Sequence, residues 1–124
     1  MLAISLAVAA ILATGCRSPD RDFGVRRQAD RPIQVQVQNH NFLDVTVYAR
    51  GGGRNVRLGN VTGKSSGRLT IDPRAINVVS GLQLLVDPIG SRRVFLSEAV
   101  YPGPGAVVVL QVGAELDMSF VSLR

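Results

Sequence analysis

Apolar and polar residues alternate without a break from residue 33 to residue 38, and no other feature of the sequence constrains the fold as strongly. One isoleucine and two valines fall on one side of an extended strand, and three glutamines fall on the other. A strand with one apolar face must cover that face with a second layer of structure. The alternation returns over residues 43–48, so the turn at Asn39-His40-Asn41 predicts a hairpin of the first two strands.

Six further strands are predicted at intervals of roughly 8 to 12 residues, which is the spacing of a sandwich or barrel. The chain has 13 glycines and 6 prolines, which end most of these segments, and Asp72-Pro73 is expected to start one helical turn through residues 74–76. The segment 106–112 is apolar on both faces and is therefore expected to be central. In the last strand, Leu116, Met118 and Phe120 or their neighbours are expected to point inward. The further strands are predicted at residues 54–61, 67–71, 82–86, 94–100, 106–112 and 116–123.

These elements predict an all-β fold for residues 32–124: an antiparallel two-sheet β-sandwich of about seven or eight strands. About 93 residues with this many strands leave no room for helical layers. Hydrophobic residues make up 46% of the chain and charged residues 19%, which excludes a fully disordered polypeptide.

The N-terminus is different in character, because residues 2–13 are apolar except for Ser5. A membrane-spanning helix needs about 20 apolar residues, whereas a signal peptide needs an apolar core of roughly 7 to 15 that ends in small residues. Residues 1–15 are therefore predicted to be a signal-peptide helix. A segment buried in the fold remains the alternative.

The sequence Ala13-Thr14-Gly15-Cys16, with Leu12 before it, resembles the lipobox of bacterial lipoproteins. This resemblance implies that Cys16 is lipidated, becomes the first residue of the mature chain, and anchors the protein to a lipid membrane. A signal peptide without lipidation stays open as the alternative. The residue after Cys16 is Arg17, whereas lipoproteins retained in the inner membrane have Asp at this position. In this respect the chain resembles lipoproteins that pass to the periplasmic face of the outer membrane.

Residues 16–31 are expected to form a lipidated cysteine followed by a flexible linker. The segment mixes arginines with aspartates and contains Pro19 and Gly24, and it shows no strand or helix period. The alternative is a basic arm that binds anionic lipid headgroups. Its cationic residues are Arg17, Arg21, Arg26, Arg27 and Arg31.

Most site chemistry is excluded by composition, because the chain has one Cys and one His. A disulfide within the chain and an ordinary zinc site both need more of these residues, so no metal and no cofactor are expected. His40 is expected to be an exposed loop residue. The sequence Thr62-Gly63-Lys64-Ser65 matches the end of a phosphate-binding loop, but the preceding glycine spacing is wrong and a strand follows, so an exposed hairpin turn is predicted.

Nucleic acid is not expected as a partner, although the formal net charge is +5. Binding of single strands needs exposed aromatic residues for base stacking, and the sequence offers few beyond Tyr48 and Tyr101. The charge is expected to keep the protein soluble or to attract anionic envelope polymers, lipids or proteins.

Several strand and turn segments are similar in order to small immunoglobulin-like or transthyretin-like sandwiches of bacterial envelope proteins. The resemblance covers most of residues 33–112 and implies a fold and a non-catalytic envelope role, without active-site residues. The segments are residues 44–48, 58–61, 69–73 and 102–103.

Two functional hypotheses follow. The first is a tethered, non-catalytic binding or structural module that binds an envelope protein or anionic polymer through the glycine- and arginine-rich loops, because loops on a rigid sandwich commonly carry recognition. Its predicted partner-binding residues are Arg54, Arg57, Arg92 and Arg93. The alternative is a cell-wall hydrolase that uses a pair of carboxylates about 5 to 9.5 Å apart. Its candidate residues are Asp44, Asp87, Glu98 and Asp117.

Overall fold

The computed structural model of the chain describes Gly15 and residues 31–124. Cys16, almost all of the predicted signal peptide and all but Arg31 of the predicted linker lie outside these described residues. The described part is all-β, with two four-stranded sheets and one short 3₁₀ turn at Leu116–Met118. The strands are β1 (Ile33–Asn39), β2 (Val45–Gly51), β3 (Arg54–Val61), β4 (Ser66–Ile71), β5 (Gln83–Pro88), β6 (Phe95–Leu96), β7 (Val107–Val112) and β8 (Phe120–Leu123).

The two sheets pack face to face as a β-sandwich, which confirms the predicted fold class. Sheet 1 has the strand order β4-β1-β7-β8, and sheet 2 has the order β3-β2-β5-β6. In β1 and β2 the predicted apolar side of the alternation is fully buried, and the glutamines of β1 lie on the outer face. The core is aliphatic, and its buried members are Ile33, Val35, Val37, Val45, Val47, Ala49, Val61, Ile71, Ile76, Leu82, Leu84, Val86, Val108, Leu110 and Val112.

The predicted hairpin of β1 and β2 is wrong, because the two strands lie in different sheets. β1 pairs with β4 and β7, while β2 pairs with β3 and β5. The turn at residues 39–44 therefore carries the chain from one layer to the other. Thr62–Ser65 also connects strands of different sheets, so this segment is a turn between layers and not the predicted hairpin. In a sandwich, both layers show the same one-sided alternation, so alternation alone does not reveal which strands are neighbours.

One strand pair departs from the antiparallel pattern. β7 runs parallel to β1, with Gln34 opposite Val107 and Asn39 opposite Val112. The other ladders among the described strands are antiparallel. β7 lies between β1 and β8, so the prediction that this segment is central is confirmed.

β6 is much shorter than the predicted strand over residues 94–100, and Ser97 explains why. The Ser97 hydroxyl accepts a hydrogen bond from the Leu84 N–H at 2.8 Å and donates one to the Glu98 carbonyl at 2.9 Å. The side chain thus takes a position that a backbone carbonyl holds in a regular ladder. Pairing with β5 resumes at the isolated bridge between Leu82 and Val100, with the register shifted by one residue.

Replacing Ser97 by Ala is expected to lower the free energy of unfolding by about 1.5 kcal/mol, because the buried Leu84 N–H loses its acceptor. For a domain of this size, that loss corresponds to a fall of roughly 6 to 12 °C in the melting temperature measured by circular dichroism. The same substitution at the exposed Ser122 is the control and should change the melting temperature by less than about 3 °C. Equal effects of the two substitutions would contradict this role for Ser97.

The C-terminal segment also differs from prediction. The 3₁₀ turn at Leu116–Met118 interrupts the expected strand, and this shifts which residues point inward. Leu116 and Val121 pack against the core, whereas Met118 is 71% exposed and Phe120 is 50% exposed. The predicted helical turn at residues 74–76 is a turn without helix, in which the Ala75 N–H donates to the Asp72 carbonyl.

Candidate functional site

One end of the sandwich contains a cavity of about 460 Å³. The starts of β1, β3, β5 and β7 lie at this end, together with the ends of β2 and β4. The β2–β3 turn and the β4–β5 loop are therefore both located here. We call it the entry end; the opposite end, which carries the turns at residues 39–44, 62–65, 89–94 and 113–119, is the far end. The cavity is mainly apolar, and its lining includes Ile33, Pro73, Ile76, Val78, Pro102 and Pro104.

The floor of the cavity is the loop between β4 and β5, which its own hydrogen bonds hold in place. The Asp72 carboxylate accepts the Arg74 N–H at 2.9 Å, and the Asn77 side-chain oxygen accepts the Val79 N–H at 3.0 Å. Ile76 is 2% exposed and joins the core. Aspartate and asparagine favour such turns because their side chains replace a backbone acceptor. The loop is therefore a fixed surface.

The wall of the cavity is the turn between β2 and β3, which packs closely on this loop. Gly52 and Gly53 have φ angles of 56° and 76°, as a two-residue type I′ turn requires. A side chain at Gly51 would come within 2.6 Å of the Asn77 carbonyl oxygen, so only glycine allows this approach. The run of three glycines thus ends β2 and shapes the cavity.

Arginines surround this apolar floor. The cavity lining includes Arg31, Arg54 and Arg74. A second, more polar cavity of about 300 Å³ lies beside it, shares Gly52 and Arg54, and adds Arg50 to the set. Neither lining contains a carboxylate. The entry end therefore offers an apolar volume next to a cationic, hydrogen-bonding one.

The four arginines predicted to bind a partner do not form one cluster. Arg54 lines both cavities at the entry end, whereas Arg92 and Arg93 lie in the loop after β5 at the far end. Seven residues of β2 separate the two ends, which is about 20 Å at a strand's rise of 3.3 Å per residue. Arg57 lies on the outer face of sheet 2, where its guanidinium donates to the Asn60 side-chain oxygen at 2.9 Å.

The carboxylates proposed for a hydrolase occupy separate structural positions. Asp44 accepts the Gly63 N–H at 2.8 Å and so holds two turns of the far end together. Asp87 lies opposite Thr46 on the outer face of sheet 2, and Asp117 lies in the 3₁₀ turn. Glu98 is exposed beyond the end of β6. Among the described residues, no group of three or more His, Cys, Asp and Glu side chains is placed to hold a metal ion.

The turn with the phosphate-loop sequence is occupied by internal contacts. The Lys64 N–H donates to the Asn41 carbonyl, and the Lys64 ammonium lies 4.2 Å from the centroid of the Phe42 ring. Lys64 has a φ of 57°, which is uncommon for a residue with a side chain. His40 is exposed in the adjoining turn, as predicted.

A shallow groove on the outer face of sheet 1 is the other polar surface of note. It contains Gln36, Gln38, Arg68 and Arg124, and it is more polar than the apolar cavity of the entry end, with Val37 as its one aliphatic side chain. Gln38 and Gln111 share a hydrogen bond across β1 and β7 at 3.0 Å. The entry end is the stronger candidate because it combines a concave shape, apolar area and cations.

Comparison with protein-family models gave no match, and comparison with curated proteins gave none either. Within the part of the chain that the structure describes, there is no helix of the length and hydropathy that a membrane crossing requires. The sequence, the fold and the entry-end geometry are therefore the observations on which a functional assignment rests.

Proposed function

We propose that the chain is an exported envelope lipoprotein, whose small β-sandwich is a non-catalytic binding module. Cys16 carries the acyl chains that anchor it to a lipid membrane, on the periplasmic face of the outer membrane. The module belongs with the immunoglobulin-like and transthyretin-like sandwiches of bacterial envelope proteins, to which its strand and turn segments are similar. Its partner is an envelope lipid, protein or anionic polymer.

The sequence supports the anchor. The apolar run is too short to span a bilayer and ends in small residues directly before Cys16. Lipidation also accounts for a single thiol in an exported protein, where an unpaired cysteine is otherwise exposed to oxidation. Each buried CH₂ of an acyl chain contributes about 0.8 kcal/mol to membrane binding, and a single chain binds only marginally and reversibly. A stable anchor therefore needs more than one acyl chain.

The entry-end cavity is the single observation that carries the binding role. It is concave, mainly apolar, lined by three arginines, and formed by loops on a rigid two-sheet scaffold. Binding sites commonly have this construction, because the scaffold fixes the positions of the loops that contact the ligand. A binding role needs no catalytic group. The concave shape of this cavity and its arginines are complementary to a ligand that has an apolar part and a negative charge.

Expression of the full chain in a Gram-negative bacterium tests the anchor. We expect intact mass spectrometry to show that the chain begins at Cys16 and carries added acyl mass, and we expect the protein to fractionate with the outer membrane. Cys16→Ser removes the acceptor thiol and should shift the protein out of the membrane fraction. Thr14→Ser, which leaves Cys16 in place, is the matched control and should behave as the original chain. A chain that retains residues 1–15 and a free thiol would refute the proposal.

A further inference from the structure

We propose that the entry end itself binds an anionic phospholipid at the membrane surface, with the phosphate at the polar cavity and the adjoining apolar part of the lipid at the apolar cavity. This inference deepens the proposed function and rests on it, because it names the ligand class of the same cavity.

The polar cavity has the chemistry that a phosphodiester requires. Arg50 and Arg54 both line it, and a guanidinium can donate two parallel hydrogen bonds to phosphate oxygens. Gly51, Gly52 and Gly53 also line it, and of these Gly51 and Gly52 lie against Asn77 of the neighbouring loop. A side chain added at Gly53 would meet no atom within 4 Å, which shows that this part of the turn opens to solvent. A headgroup can therefore approach both the arginines and the main chain.

The apolar cavity continues directly from the polar one, because Gly52 and Arg54 belong to both linings. An amphiphile fits such a pair of cavities better than a purely polar anion does, since the apolar floor gains nothing from a hydrated ion. Two exposed side chains at the same end suit the membrane interface. Val79 is 85% exposed, and Tyr101, whose ring lies beside Gly81 of the polar cavity, is 66% exposed. Tyrosine is enriched where apolar and aqueous regions meet.

Charge distinguishes the two ends of the sandwich. Within residues 31–124, the two acidic residues nearest the entry end are Asp72 and Glu98, and they line neither cavity. At the far end the acidic residues outnumber the basic ones. That end carries Asp44, Asp87, Glu115 and Asp117 against Lys64, Arg92 and Arg93. An anionic surface therefore attracts the entry end and not the far end.

The position of the proposed anchor agrees with this orientation. Cys16 precedes Arg31 by fifteen residues, and Arg31 lines the cavity at the point where the chain enters β1. Fifteen residues of any conformation span at most about 50 Å. An anchor at Cys16 thus keeps the entry end within reach of the bilayer, where the local lipid concentration is high.

Flotation of the purified full chain with lipid vesicles tests this inference. Vesicles of phosphatidylcholine alone are compared with vesicles of an equal mixture of phosphatidylcholine and phosphatidylglycerol. We expect Arg50→Ser with Arg54→Ser to weaken binding to the anionic vesicles by about 30-fold, from about 1 kcal/mol per arginine near an anionic surface. Binding to neutral vesicles should not change. The measurement requires no acylation, so it separates this inference from the anchor tested above.

Arg92→Ser with Arg93→Ser is the matched control, because it removes the same charge from the far end. It should change binding to anionic vesicles by less than about 3-fold. Equal losses for the two double variants would show an effect of net charge alone and overturn the inference, as would the absence of any loss. Polyglutamate and inorganic phosphate are added as competitors at the same charge concentration as the anionic lipid. If either displaces the chain from the vesicles, the cavity binds a soluble anion and the inference is overturned. The melting temperatures of both variants establish that each remains folded.

Discussion

Asn39→Asp is expected to lower the free energy of unfolding by about 4 kcal/mol at neutral pH, although the substitution changes only an NH₂ group to an oxygen. Asn39 is 2% exposed, and its amide nitrogen donates to the carbonyls of Leu43, Val61 and Thr62 at 3.0 to 3.3 Å. An aspartate would direct a charged oxygen at these three carbonyl oxygens. The buried carboxylate would therefore face repulsion and would lose its hydration without gaining a donor. Chemical denaturation followed by circular dichroism measures the loss.

Asn60→Asp is the matched control for this substitution. The Asn60 side-chain oxygen accepts from the Thr46 hydroxyl at 2.8 Å and from the Arg57 guanidinium at 2.9 Å, and both bonds survive when the nitrogen becomes an oxygen. The site is exposed, so the expected change is within about 0.5 kcal/mol. If Asn39→Asp were as mild as Asn60→Asp, the three bonds of the Asn39 nitrogen would not hold the far end together.

Gly63→Ala is expected to cost about 3 kcal/mol of folding free energy, which is large for the addition of one methyl group. A Cβ at this position would lie against the Phe42 carbonyl oxygen and 2.6 Å from the Phe42 carbonyl carbon. Both neighbours are backbone, so the turns at residues 39–44 and 62–65 would have to separate. That movement also weakens the bond from the Gly63 N–H to the Asp44 carboxylate. Thermal unfolding should show a fall of roughly 12 °C or more in the melting temperature.

Gly103→Ala tests whether this cost comes from contact and not from loss of glycine in general. A Cβ at Gly103 meets no atom within 4 Å, and the backbone there lacks the positive φ that favours glycine. Alanine should leave the stability unchanged or raise it by a few tenths of a kcal/mol, because it restricts the unfolded chain. A destabilisation as large as that of Gly63→Ala would contradict the proposed clash.

The strands were predictable because their signal is local. The alternation in β1 and β2 requires only neighbouring residues, and the observed β3 (Arg54–Val61) has the predicted bounds. Pairing depends on residues far apart in sequence, and for this reason the predicted β1–β2 hairpin was wrong. The parallel pairing of β1 with β7 joins segments more than 70 residues apart, and no local pattern encodes it.

The burial of Asn39 was predictable from the alternation in β1, although asparagine is also a common turn residue. Continuing the alternation from Ile33, Val35 and Val37 places residue 39 on the buried side, where a polar residue must have partners. The turn predicted at Asn39-His40-Asn41 includes this residue but gives its side chain no buried role. Its partners come from the adjoining turn and from residues 61 and 62, so their identity required the fold.

The candidate site was predicted only in part. Arg54 and the glycine-rich turn belong to a loop predicted to contact a partner, and the structure places them beside the cavities. The apolar lining comes from Pro73, Ile76, Val78 and two prolines before β7, which are distant in sequence and carry no motif. Whether Arg54, Arg57, Arg92 and Arg93 bind a partner stays a prediction. Their division between the two ends means that one partner cannot contact all four through a single small interface.

The position of β1 inside sheet 1 also determines how the domain responds to mechanical pulling. A force applied through the N-terminal segment enters at Ile33 and acts along a strand that is bonded to β4 on one side and to β7 on the other. The hydrogen bonds of both ladders then bear the load in shear together, so extraction of β1 requires many bonds to break at once. Extraction of β1 from its N-terminal end therefore breaks two ladders at once, whereas extraction of the edge strand β8 breaks only the ladder with β7.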